Sequence, residues 1–160
     1  MQSLTSGEIR VIDCYEASGE GLPHYVQLLR SRPYSYETHW APHDLRMREF
    51  ASGRSRYETA QSLGVQFQIA PHVPLEDGIH AARLFMARCW FDESRCRAGL
   101  EALMHYRRDF NNRLNEFKAT PVHDWSSHAA DAFRYLAVAH REREPARSIP
   151  TEYERFSIWT

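Results

Sequence analysis

With 160 residues, 42% of them hydrophobic and 26% charged, the chain has the make-up of one soluble globular domain large enough to bury its own core. No apolar run approaches the ~18 residues a bilayer span needs. The opening Met-Gln-Ser-Leu-Thr-Ser-Gly-Glu has neither the basic nor the apolar region of a secretory signal. The cytoplasm is therefore the expected location, with no membrane partner. A net charge of −1 excludes a generic polycation for nucleic acid, although Lys118 is the sole lysine beside 19 arginines. Guanidinium forks suit phosphate oxygens, but a codon bias toward arginine gives the same composition. The cysteines, Cys14, Cys89 and Cys96, include no C-x-x-C pair and do not make a zinc site. Buried reduced thiols are expected instead.

In chain order, Glu8 to Glu16 alternates apolar and polar residues and predicts a strand. Leu22 to Arg32 predicts a short helix with Pro23 in its first turn and Pro33 ending it. Tyr36 to Trp40 predicts a strand running into an Ala-Pro-His-Asp turn at 41–44, followed by a helical turn over Leu45 to Phe50 and a polar loop at Ser52 to Ser55. A second helix is expected over Arg56 to Leu63, stopped by Gly64, and then a strand over Val65 to Ala70. Leu75 to Cys89 reads as an amphipathic helix with Leu75, Ile79, Ala82 and Met86 inward, and Trp90-Phe91 as a short extended piece. Ser94 to Arg107 follows as a helix with Cys96, Leu100, Leu103 and Met104 inward. Asp109 to Lys118 predicts a hairpin turning at Asn111-Asn112, and Ser126 to Arg141 a long helix. Strands alternating with helices indicate an α/β domain over residues 1–141, with 142–160 expected as a mobile tail.

The chemistry concentrates around His123-Asp124-Trp125-Ser126-Ser127-His128-Ala129-Ala130-Asp131. On a helix His128 and Asp131 share a face, with Asp124 near the first turn on roughly the same side. Two readings stand side by side. In one, Asp124 or Ser126 caps the helix and Asp131 pairs with Arg134. In the other, these acids join Asp44, which lies just past a predicted strand, where open α/β sheets present functional groups. Hard divalent cations want oxygen ligands from several elements. Two such ions can activate water and stabilise the leaving oxygen in phosphodiester hydrolysis.

Several blocks of the chain together resemble the nuclease domain of the tailed-bacteriophage terminase large subunit. They are Arg10 to Glu20 (RVIDCYEASGE), Ala-Pro-His-Asp at 41–44, Ser55 to Thr59 (SRYET), Gln68 to Pro71 (QIAP), Glu76 to Ile79 (EDGI) and His123 to Tyr135 (HDWSSHAADAFRY). They span about residues 8–139 in the family's order, and the last block is the most specific. The resemblance implies a ribonuclease-H-like fold, a mixed central sheet flanked by helices. It implies a Mg²⁺- or Mn²⁺-dependent two-metal endonuclease that cuts concatemeric double-stranded DNA during packaging. Position by position, Asp44 matches the second acidic metal ligand and Asp131 the third; His128 matches a nearby histidine, and Asp124 an acidic neighbour acting through water. The implied partners are DNA, the terminase ATPase domain, the small terminase subunit and the portal, and the implied setting is the cytoplasm of a bacterial host carrying a phage or prophage. No Gly-x-x-x-x-Gly-Lys-Ser/Thr loop occurs, so the chain is not the motor.

One departure matters. The family's first catalytic aspartate lies on a strand before the segment matching Gly7 to Glu16, whereas only Met1 to Ser6, without a carboxylate, precede it here. Asp13 matches the following strand, where the family has no ligand. The fold is therefore expected to be incomplete at its N-terminus, with a weak or partial metal site and exposed strand edges that favour a homo-oligomer. The alternatives are an inactive remnant serving as a DNA-contacting or assembly module, and an unrelated α/β domain whose acids are structural.

Overall fold

Apolar stretches in this chain are short and bounded by glycine, proline or aspartate, so its strands run for only two or three residues. The computed structural model describes residues 1–3, 7–50 and 52–143. β2 (Ile9–Val11) buries Ile9 and Val11 and exposes Arg10, the alternation of a strand covered on one face. It pairs antiparallel with β1 (Gln2–Ser3) and parallel with β5 (Cys89–Phe91), placing Gln2 opposite Arg10 and Ile9 opposite Cys89. The strand expected over Glu8 to Glu16 is thus confined to its first half. Beyond Val11, Asp13 is drawn away by Arg32, whose Nε lies 3.0 Å from its carboxylate, and Cys14 packs onto Gly99.

β3 (His39–Ala41) and β4 (Phe67–Ile69) form a separate parallel pair, shifted or trimmed from the predicted strands. β6 (Phe110–Asn111) and β7 (Glu116–Phe117) make the expected hairpin, but Asn111 lies in the strand and the turn falls at 112–115; Phe110 and Phe117 pack edge to face at 5.1 Å. Asn115 takes the left-handed conformation at φ 53° that closes the turn. The α/β class is as expected. Among the described residues, however, the strands fall into three sheets, ordered β1-β2-β5, β3-β4 and β6-β7.

α1 (Leu22–Ser31) starts with Pro23 in its first turn and buries Val26. A 3₁₀ turn over His43–Arg46 replaces the helical turn expected at Leu45 to Phe50; Met47 is already extended, and Arg48 bridges Ser55. α2 (Arg56–Ser62) opens on a capping box: the Glu58 N–H donates to Ser55 Oγ at 3.1 Å and the Ser55 N–H to Glu58 Oε2 at 2.8 Å. Gly64, at φ 79°, ends it.

α3 (Leu75–Met86), α4 (Glu93–His105) and α5 (Ser127–Arg143) carry the core. Two inward faces differ from the prediction. α3 buries Gly78, Ala81 and Phe85, while Leu75 and Met86 are exposed and Ile79 and Ala82 half-buried. α4 buries Cys96, Gly99 and Ala102, with Leu100 and Leu103 half-buried, and leaves Met104 74% exposed. Small residues win these seams because they let backbones approach. A Cβ on Gly78 would lie 2.9 Å from Arg134 Cδ on α5. The centre of the core is Ile9, Val11, Phe85, Cys96, Phe133 and Ala137, with the Phe133 ring tilted against both Phe85 and Phe91. Of the tail expected over 142–160, Glu142 and Arg143 belong to α5, and residues 144–160 lie outside the described residues. No described helix is long and apolar enough to cross a membrane.

A methyl group at Gly99 would sit 2.5 Å from Cys14 Sγ and 3.3 Å from its Cβ. Gly99→Ala is therefore expected to cost about 1–3 kcal/mol by overpacking, measured by urea unfolding. Adding Cys14→Ala should recover part of that loss; a neutral Gly99→Ala would show that the α4 seam has slack.

Candidate active site

α5 has two faces. One supplies Ala130, Phe133 and Ala137 to the core. The other, at positions 128, 131, 132, 135 and 136, faces a cavity of about 1370 Å³ whose walls include Met1 and Gln2 on one side and Thr38 to Pro42 on the other. The helical period places these residues in one stripe. β3 ends at Pro42, and the 3₁₀ turn after it brings Asp44 to the wall of the same cavity. Asp44, His128 and Asp131, predicted as site residues from separate elements, are thus brought to one space.

Their surroundings differ. Asp44 is exposed, and its carboxylate has no hydrogen-bond or ion-pair partner among the described residues. Asp131 is held: its Oδ1 accepts from Arg134 Nε at 3.1 Å and Nη2 at 3.0 Å. Arg134 is itself largely buried and lies over the Tyr135 ring. The pairing with Arg134 and the position on the cavity coexist, so the two readings of Asp131 are not exclusive. His128 is exposed, edge-on to His123 at 5.6 Å, and also borders a second, apolar cavity of about 330 Å³ lined by Cys14, Phe91 and Cys96.

Asp124 is placed otherwise. Its Oδ1 accepts from the Ser126 N–H at 2.9 Å and Ser126 Oγ at 2.6 Å, and its Oδ2 from Arg107 at 3.0 Å. The Ser126 hydrogen bonds first, and then Arg107, lower its pKa from 3.8 to about 2. Both oxygens are spent on fastening the entry to α5, and Asp124 is not among the residues lining the larger cavity.

Asp44 and Asp131 offer the hard oxygen donors that Mg²⁺ or Mn²⁺ takes. Asp131 has one oxygen engaged by Arg134, and among the described residues no three His, Cys, Asp or Glu side chains gather as a metal cage. The donor type fits and the donor number is short. Cys14, Cys89 and Cys96 are free thiols whose pKa values are raised by burial, Cys89 to about 11.

Sequence reasoning missed His39, whose pKa is lowered by burial, and Tyr135 and His140, all of which line the larger cavity. Tyr135 is seven residues after His128, so the stripe on α5 was present in the spacing. His39 carried no comparable signal. No protein-family model matches the chain, and no curated protein or solved structure matches it.

Because the folded-state pKa of Asp124 is depressed, its contribution to stability is present above 3.8 and lost as pH falls through about 2. Asp124→Asn should lower the melting temperature at neutral pH, and its gap from the parent should close across that acid window. A gap that stays constant with pH would mean the carboxylate charge is not what fastens α5.

Proposed function

We propose that this chain is the nuclease part of a tailed-bacteriophage terminase large subunit, with a ribonuclease-H-like fold, acting on double-stranded DNA in the cytoplasm of a bacterial host. The observation that carries the reading is the convergence of Asp44, His128 and Asp131, from a strand end and a helix face, on one cavity. The ordered blocks from Arg10 to Tyr135 supply the family context.

A bound Mg²⁺ or Mn²⁺ would activate water and stabilise the leaving oxygen of a phosphodiester. Asp44 and Asp131 would hold it. Asp44 would do so with a carboxylate that has no other partner among the described residues, and Asp131 with one whose orientation Arg134 fixes. His128, at the edge of the cavity, would pass a proton. With so few charged oxygens, water must complete the coordination, so affinity and turnover should both be low. The ATPase domain, the small subunit and the portal are the partners this reading implies.

The shortage of donors favours a second reading, an inactive remnant that contacts DNA or assembles with the packaging motor. Mn²⁺ calorimetry and plasmid nicking separate the two. The nuclease reading expects weak Mn²⁺ binding and slow nicking, both lost in Asp131→Ala and Asp44→Ala. Asp44→Ala is the cleaner variant, because its carboxylate has no partner to strand among the described residues. DNA binding without nicking at any Mn²⁺ concentration would establish the remnant. Tight Mn²⁺ binding that survives both substitutions would place the metal elsewhere.

A further inference from the structure

The core-facing side of α5 borders a smaller pocket of about 190 Å³, which shares no lining residue with the large cavity. Ala130, Phe133 and Arg134 meet Ile79, Ala82, Arg83 and Met86 of α3 there. Both sets follow the three- and four-residue spacing of a single helix face. The third wall is the chain leaving α4, at Leu103, Tyr106, Arg107 and Arg108. A hydrogen bond of 2.9 Å from the Val122 N–H to the Arg107 carbonyl holds Pro121 beside that wall.

The pocket is sided by charge. Among the described residues, four guanidiniums line it and no carboxylate does. The compensating acids stand outside the lining: Glu76 pairs with Arg108, Asp124 with Arg107 and Asp131 with Arg134. Arg83 is left over, with no hydrogen bond or ion pair among the described residues. Each pair occupies only part of a guanidinium's N–H donors, so donors remain for a ligand. Burial first, and then Asp131, raise the pKa of the Tyr106 hydroxyl, which therefore stays protonated as a further donor. Beneath this rim Ile79, Ala82, Met86, Leu103 and Phe133 form an apolar base.

This arrangement selects a ligand class. A planar carboxylate is matched by one coplanar fork, whereas a tetrahedral phosphate accepts from several directions. Arginines arriving from α3 and from the segment after α4 suit the second. The volume is below the roughly 300–1,000 Å³ of pockets for drug-sized ligands, which limits the apolar part to about one ring.

We propose that this pocket binds a small phosphomonoester carrying one apolar ring, the phosphate held by Arg83, Arg107 and Arg108 and the ring seated on the apolar base. The site uses neither Asp44, His128 nor a metal ion, so a failed nuclease assay leaves it standing.

Calorimetry on the full-length chain in EDTA, with phenyl phosphate as the probe, tests it. Phenyl phosphate should bind at one saturable site, and inorganic phosphate about tenfold more weakly or worse, because it brings no ring to the base. Arg83→Gln breaks no pair among the described residues. It should weaken phenyl phosphate about tenfold, the loss of a charge-assisted hydrogen bond, and leave the melting temperature unchanged. Arg83→Lys should recover part of the loss, and Arg108→Gln should weaken binding similarly. Absence of phenyl phosphate binding would overturn the proposal; if Arg83→Gln then weakened binding of a short DNA duplex, the arginines would be contacts to backbone phosphodiesters instead. Equal affinity for the two phosphates would mean an adventitious ion only. Phenyl phosphate binding indifferent to both glutamine variants would place the ligand elsewhere and would equally overturn it.

Discussion

Close approach between helices governs this structure, and small residues make it possible. Gly78 on α3 sits so near α5 that a Cβ would meet the Arg134 side chain, and Gly99 on α4 is pressed against Cys14 in the segment after β2. The alanines of α5, with Ala137 and Ala139 nearly inaccessible, continue the theme. Interiors packed at this density forfeit dispersion energy with even small gaps. The packing of α3, α4 and β2 around α5 therefore fixes the helix in position and rotation. Its opposite stripe then has no freedom left, and His128, Asp131 and Tyr135 face the large cavity as a consequence of what Phe133 and Ala137 bury.

The same dependence explains which parts of the fold were legible in the sequence. Helix existence was, because periodicity and caps are local: the Ser55–Glu58 capping box and the Gly64 stop mark α2 within nine residues. The inward faces of α3 and α4 were not. Side-chain size suggested Leu75, Met86 and Met104, whereas the structure buries glycine and alanine there, and this preference exists only once a neighbouring helix is in place. Strand lengths were overestimated for a related reason. Ile12 and Asp13 continue the alternation of β2, but Arg32 and Tyr34, about twenty residues away, capture the Asp13 carboxylate.

The candidate site divides along the same line. Asp44 and Asp131 could be named from a strand end and a helix face, each a local feature. Whether Asp124 joins them depended on Arg107, seventeen residues away and just past the end of α4, and on a local turn with Ser126. A carboxylate satisfied by three hydrogen bonds, one of them the ion pair with Arg107, has little left to offer a ligand. His39 came to the cavity through the pairing of β3 with β4, a non-local event with no trace in its own neighbours.

The Arg134–Asp131 pair has a consequence for how this protein can change over generations. The Arg134 side chain is only 13% exposed, and its Nε and Nη2 both donate to one carboxylate oxygen of Asp131. Replacing the acid would strand a largely buried cation, which the fold tolerates poorly. Selection for folding alone therefore keeps an aspartate at 131, even in a lineage where its chemistry is no longer used. Asp44 has no such protection, since no partner among the described residues depends on it. Drift would erase it first, and its presence or loss among descendants is the more sensitive record of whether the site still works.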